Sequence, residues 1–121
     1  MKDSTRNIGY NKERIAADYL EAKGYFIIQR NYRVRQGEID IVARDKDTIV
    51  FVEVKYRKNT ISGHPLEAVT IRKQRQVCDV ALFYMNQNKI NPETTPVRFD
   101  VIGILGNDIT HIENAFEFCN I

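Results

Sequence analysis

The 121-residue chain has no tryptophan, two cysteines, three prolines and six glycines. Cys78 and Cys119 offer neither a metal-binding spacing nor a disulfide framework. They read as two separate thiols in a reducing compartment. So little Pro and Gly excludes a collagen-like or low-complexity chain. No apolar run approaches the length of a membrane span, and Met1–Tyr10 lacks the apolar stretch of a secretory signal. No GxxxxGK loop is present, which disfavours a P-loop NTPase, and no internal repeat appears. An excess of one charge sign is missing too: 18 Lys/Arg face 16 Asp/Glu, for a net +2. These absences leave a cytoplasmic protein without membrane contact. Residues 1–121 form one domain, long enough to bury roughly 65% of its unfolded surface.

The balanced total hides an uneven distribution. Residues 1–90 carry 17 Lys/Arg against 11 Asp/Glu, whereas residues 91–121 carry one Arg against five acids. A basic body with an acidic end leaves room for a local surface that meets a polyanion.

Hydrophobic patterning gives the elements. A helix runs from Ser4 or Asn7, both good N-caps, to a stop at Gly24. Tyr25–Val34, Glu38–Arg44 and Thr48–Tyr56 read as strands, with turns at Gln36-Gly37 and Asp45–Asp47. Ile49–Val54 is almost continuously apolar, as in a central strand covered on both faces. Arg57–His64 is a polar loop followed by Pro65. A second helix begins with Thr70 as N-cap and ends near Asn88. Val97–Ile104 and Ile109–Phe116 complete the strands. The order α-β-β-β-α-β-β predicts an α/β (α+β) domain, a mixed five-stranded sheet flanked by two helices.

The informative residues are polar ones on faces that the pattern places inside. On the first helix, Gly9, Glu13, Ala16, Ala17 and Leu20 form the inward stripe. Glu13 lies in its middle, as an inward functional carboxylate or as an acid reaching solvent or an arginine. Period two puts Glu38, Asp40 and Val42 on one face of the second strand and Ile39, Ile41 and Ala43 on the other. On the third strand Glu53 and Lys55 share a face, about 7 Å apart, where desolvation of each charge costs several kcal/mol. A two-residue turn at Lys46-Asp47, or a four-residue loop Asp45 to Thr48, pairs Asp40 with Glu53, at about 5 Å between Cβ atoms, whereas a three-residue loop pairs Asp40 with Val52 and leaves the two acids offset but near. Two carboxylates so close favour a cation between them, and hard oxygen ligands with open positions suit Mg²⁺ or Mn²⁺. On the second helix the stripe is Ile71, Cys78, Ala81, Leu82 and Met85. Gln74 falls on it, as a core-edge amide bonded to backbone or as a residue reaching the acidic cluster.

Acid, acid and lysine on adjacent strands suit metal-assisted phosphodiester hydrolysis. Asp40 and Glu53 are the candidate ligands, with the Val54 carbonyl as a possible third and Glu13 for a second ion or a ligating water. Lys55 would orient the attacking water or stabilise developing charge. Arg33, Arg35, Arg57, Lys58, Arg72 and Lys73 are candidate phosphate contacts, against the alternative of solvated surface charges. Tyr10, Tyr32 and Tyr56 fit base stacking or ordinary packing. Asp100 reads as the structural partner of an arginine. His64 and His111 read as structural or solvated.

At these residues the sequence resembles the PD-(D/E)XK nuclease signature: Asp40, then Glu53-Val54-Lys55, preceded by Glu13 on an N-terminal helix. More closely, it resembles the YraN-like family of small nuclease-like proteins. The resembling pieces are Gly9 with Glu13-Arg14-Ile15-Ala16-Ala17, Asn31-Tyr32-Arg33, Gly37-Glu38-Ile39-Asp40, Val50 through Arg57, Lys73-Gln74 and Arg98-Phe99-Asp100-Val101, which span most of residues 6–104. The superfamily's Pro-Asp is Ile39-Asp40 here. The resemblance implies a restriction-endonuclease-like core similar to archaeal Holliday-junction resolvases. It also implies a catalytic centre of Asp40, Glu53 and Lys55 assisted by Glu13, with Mg or Mn as cofactor. The expected partner is nucleic acid, DNA ahead of RNA and branched DNA in particular, and a homodimer fits such relatives. A nucleic-acid-binding module that keeps the fold without cleavage is the alternative.

Overall fold

The computed structural model describes residues 4–118, with side chains from residue 11 onward. Cys119 and the side chains of Ser4, Asn7, Gly9 and Tyr10 lie outside the described residues. The elements run α1 (Ser4–Ala22), β1 (Phe26–Val34), β2 (Gly37–Asp45), β3 (Thr48–Arg57), a 3-10 helix (Pro65–Ala68), α2 (Ile71–Gln87), β4 (Val97–Leu105) and β5 (Asp108–Phe116). The strands form one sheet in the order β1-β2-β3-β4-β5. β3 and β4 are parallel, joined through α2, and the other neighbours are antiparallel. The sheet is therefore mixed, and its helices lie on opposite faces. No helix among the described residues is long and apolar enough to cross a membrane.

Each face has its own core. Ala16, Ala17 and Leu20 of α1 pack with Ile41, Ala43, Val50, Val52, Ile102 and Ile104. Val77, Cys78, Ala81, Tyr84 and Met85 of α2 pack with Val42, Ile49, Phe51 and Phe99. β3 supplies alternate residues to both, which explains its near-continuous apolar run. Thr70 caps α2 as expected, its hydroxyl accepting from the Lys73 N–H at 3.2 Å. The expected α2 stripe needs correction. Cys78, Ala81 and Met85 are buried as expected, but Ile71 and Leu82 are exposed, and Val77, Val80 and Tyr84 complete the buried seam. Tyr84 packs edge-on against both Tyr32 and Phe51, which widens the buried face on the Val77–Tyr84 side.

The 3-10 helix lies within a stretch that reads as polar loop running into a proline. His64 starts it, its Nδ1 accepting from the Leu66 N–H at 3.2 Å. The helix seats against β4 because Gly103 has no side chain. A Cβ there would lie 2.9 Å from Leu66 Cδ2.

A second departure matters more. Period two fails in the β1–β2 hairpin, and it fails in both strands at one rung. Ile41 belongs to the α1-side core and Ile39 to the α2-side core. On β1, Arg30 pairs with Glu13 of α1 while Tyr32 packs on Tyr84 of α2. Between the rungs Arg30↔Ile41 and Tyr32↔Ile39 stand Asn31 and Asp40. Asn31 has φ +55°, a left-handed conformation that Asn adopts at lower cost than most residues. The hairpin thus reverses its faces at Asp40.

Candidate active site

Of the two registers open to the hairpin, β2 and β3 take the first, with Asp45 opposite Thr48 and Ile41 opposite Val52. The ladder stops there, so the expected Asp40–Glu53 rung does not form. Beyond it, β2 pairs only with β1 and β3 only with β4 among the described residues. The two strands part where their carboxylates begin. The face reversal at Asn31 and Asp40 accounts for this, because a strand that has turned over cannot continue a flat ladder with its neighbour. Across the gap, the Val54 N–H donates to Asp40 Oδ2 at 2.7 Å. Asp40 therefore reaches the backbone beside Glu53 without being its ladder partner.

Electrostatics within the gap are unbalanced. Burial and then the Glu53 charge push the Asp40 carboxyl up to about 8, against the opposing Val54 hydrogen bond. Glu13 and Glu38 push it in the same direction. Glu53 is 3% exposed. Its Oε2 lies 3.5 Å from Lys55 Nζ and 3.2 Å from Lys73 Nζ, while Oε1 is buried and accepts no hydrogen bond. Glu13 is 7% exposed, and its Oε1 lies 3.5 Å from Arg30 Nε. Burial raises its pKa and Arg30 opposes the rise. The structure thus brings Asp40, Glu53 and Lys55 together with Glu13 close by, Glu13 taking the arginine pairing that was one of its two readings.

Gln74 takes the backbone-bonded alternative. Its amide donates to the Val69 carbonyl at 3.3 Å, and it lines a cavity of about 260 Å³ with Leu66, Val101, Ile112 and Phe116. The neighbouring Lys73, grouped with the phosphate contacts, is the α2 residue that reaches Glu53. Sequence reasoning missed that contact, because a surface-type lysine on a helix carries no local sign of a carboxylate on a distant strand. The spacing of Lys73 from the Thr70 cap does place it in the first turn, the end of α2 nearest the gap.

Of the other candidate phosphate contacts, Arg33 and Arg72 line clefts that Lys73 shares. Arg33 pairs with Glu38 at 3.0 Å and is well exposed. Arg33, Val34, Gly37, Glu38, Lys73 and Gln76 line an open cleft of about 430 Å³. A smaller one of about 220 Å³ adjoins it, lined by Thr70, Arg72, Lys73 and Gln76. Arg35 and Lys58 are exposed and Arg57 is half-buried, with its Nε buried and donating no hydrogen bond. Tyr32 is core, its hydroxyl donating to Gln87 Oε1 at 2.7 Å. Tyr56 lies under the Lys12 ammonium, 4.6 Å from the ring centre.

A second set of buried polar groups stands apart from this gap. Asp100 is fully buried and bonded to Arg98 at 2.9 and 3.1 Å, to His111 Nε2 at 2.7 Å and to the Asn114 N–H at 3.0 Å. Arg98 continues to Asp45 at 3.2 Å and to the Tyr25 hydroxyl at 2.6 Å. Asp100 is thus the structural partner of an arginine, and His111 is structural too.

As to metal, the donor chemistry fits a hard divalent cation in part. Asp40 and Glu53 supply carboxylate oxygens, one of them buried without a hydrogen bond. Among the described residues, no three of His, Cys, Asp and Glu are grouped to hold an ion by themselves. A cation of the Mg²⁺ type needs only one or two carboxylates, since it keeps several waters.

A mixed five-stranded sheet between two helices, in the order α-β-β-β-α-β-β, defines an α+β protein, with a carboxylate on each of two parting strands and a lysine beside them. Residues 12–104 match the model of the uncharacterised protein family UPF0102, the YraN-like family, and the chain belongs to that family. A UPF0102 protein from Lachnoclostridium phytofermentans is 53% identical over 109 residues, covering 90% of this chain and 92% of that one. One from Clostridioides difficile is 46% identical over 106 residues, covering 86% and 91%. One from Clostridium botulinum is 43% identical over 123 residues, covering 97% and 99%.

Proposed function

We propose that the protein is a metal-dependent phosphodiester hydrolase acting on nucleic acid, DNA ahead of RNA and branched DNA in particular. The observation that carries this reading is the parting of β2 from β3 at Asp40 and Glu53, which leaves a buried carboxylate oxygen without a hydrogen bond. Asp40 and Glu53 would hold Mg²⁺ or Mn²⁺, with Glu13 behind them. When bound, such an ion polarises a phosphoryl oxygen and lowers the pKa of a coordinated water. Lys55 stands 3.5 Å from Glu53, placed to orient the attacking water or to stabilise charge developing on the phosphoryl group. The Val54 N–H fixes the Asp40 carboxylate, which reduces the reorganisation that ligand binding requires. Arg33, Arg72 and Lys73, which line the clefts, suit a phosphate backbone.

A second reading, a binding module that keeps the fold without cleavage, is favoured by the two lysines that already neutralise Glu53. A cleavage screen over branched, flapped, single- and double-stranded DNA and RNA, with Mg²⁺ and with Mn²⁺, separates the two. Cleavage of one substrate class, reduced about a thousandfold by Lys55→Ala, is the expected result. Salt-sensitive binding without cleavage by either ion, unchanged by Asp40→Ala, would establish the binding module instead.

A further inference from the structure

One buried carboxylate and two ammonium groups are more than a structural ion pair requires. Lys55 comes from the same strand as Glu53, two residues on and on the same face. Lys73 comes from the facing helix, and its Nζ is the closer of the two, at 3.2 Å against 3.5 Å. Its side chain is 23% exposed. It also lines both clefts beside the gap and donates to Gln76 Oε1 at 3.2 Å. Lys73 therefore stands between the buried carboxylate and the openings, on a flexible four-carbon stem. A divalent cation bound to Glu53 would meet this ammonium at close range, and like charges there repel strongly because solvent screening is weak.

We propose that Lys73 is a displaceable counter-ion of Glu53, which holds the carboxylate until a divalent cation takes its place and then turns into the adjoining cleft to meet a phosphate group of the substrate. This rests on the metal-dependent reading above. Lys73 is a positioning residue here, acting through Glu53 first and through the substrate's phosphate afterwards. The arrangement couples the two binding events. The cation frees a positive group, and that group adds to the Arg33 side of the cleft.

The test follows the lysine itself. The intact protein is reductively methylated with and without Mn²⁺, and each lysine's modification is read by mass spectrometry. Mn²⁺ affinity is measured by calorimetry for the wild type, Lys73→Met and Lys73→Arg. Mn²⁺ should expose Lys73 to modification, with a short DNA duplex added to the cleavage-deficient Lys55→Ala variant protecting it again. Lys73→Met should bind Mn²⁺ about tenfold more tightly, and Lys73→Arg should return to the wild-type affinity. A merely structural lysine would leave the affinity unchanged or lower it on removal. Mn²⁺ binding by the wild type, with Lys73 modification and the Lys73→Met affinity both unmoved, overturns the inference and leaves the metal site standing. No Mn²⁺ binding by the wild type or by Lys73→Met removes the metal site, and the inference with it.

Discussion

Asp40 and Asp100 are both acids within the sheet, and their surroundings could hardly differ more. Around Asp100, three hydrogen bonds from Arg98 and His111 and one from the Asn114 N–H fill the carboxylate. Burial pushes its pKa up, but these bonds and the Arg98 charge outweigh burial and hold it below the ordinary value. Around Asp40, one N–H is set against burial and the Glu53 charge, and burial wins. The Asp100 network ties β4 to β5 and, through Arg98, to Asp45 and Tyr25. The Asp40 gap ties little together and leaves polar atoms unsatisfied. A buried acid with all its partners is a piece of the scaffold. A half-buried acid facing another acid, where the strands have stopped pairing, is a site prepared for something the chain does not itself supply.

The largest effect that would sharpen this contrast is on stability. Asp100→Ala strips Arg98 and the buried His111 of their shared partner, and breaking such a pair costs about 3–5 kcal/mol. Asp40→Ala removes one hydrogen bond but also a carboxyl whose burial opposes folding, so it should destabilise far less than Asp100→Ala. Urea unfolding of the two variants measures both. Equal losses would erase the distinction between scaffold and site.

The next test uses pH. The folded-state pKa of Asp40 is raised from 3.8 to about 8, so folded protein binds a proton there that unfolded chain has already lost. Between those values the folded state holds more protons, and stability falls as pH rises. The contribution is fully present below about 4 and gone above about 8. Asp100 is shifted the other way. Its contribution is present above 3.8 and lost as pH falls through its folded value, so it adds no slope between pH 5 and 8. Urea midpoints at pH 5 and pH 8 should therefore show a decline in the wild type that Asp40→Asn abolishes. A decline that survives in Asp40→Asn would place its origin elsewhere.

How much of this the chain announces depends on whether the signal is local. Thr70 as a cap and the Asp45–Thr48 register are visible because the interactions behind them span a few residues. The triplet Asp40, Glu53 and Lys55 stands out because charges in an apolar run are anomalous wherever they occur. Asp40's true position is less visible, since it depends on a left-handed Asn31 and on both hairpin strands reversing faces, which no two-residue period contains. Lys73 escapes because its partner lies on a strand twenty residues earlier, across the fold. On α2, Cys78, Ala81 and Met85 are legible as core from their spacing, but the burial of Tyr84 is not, because it depends on two aromatic neighbours, Tyr32 and Phe51, that only the assembled sheet provides. What the sequence hides is long-range in each case.

The smallest effect concerns the cations around each acid. Near Asp100 the positive groups are spent internally. Arg98 is held by Asp100 and Asp45, and Lys23 reaches His111 at 3.0 Å and Glu113 at 3.5 Å. On the Asp40 side, Arg33 pairs with the solvent-facing Glu38, and Arg72, which lines the adjoining cleft, is exposed. Exposed pairs of that kind contribute little to stability, so Arg33 can exchange its carboxylate for a phosphate at small cost. Each lost phosphate contact lowers the slope of log K against log salt by about 1. Arg33→Ala should therefore flatten the salt dependence of DNA binding by about that amount while leaving the urea midpoint within about 0.5 kcal/mol of wild type. Lys23→Ala should leave the salt slope alone. If the two variants flatten it equally, nucleic acid does not distinguish one end of the sheet from the other, and the basic rim of the gap is ordinary solvated surface.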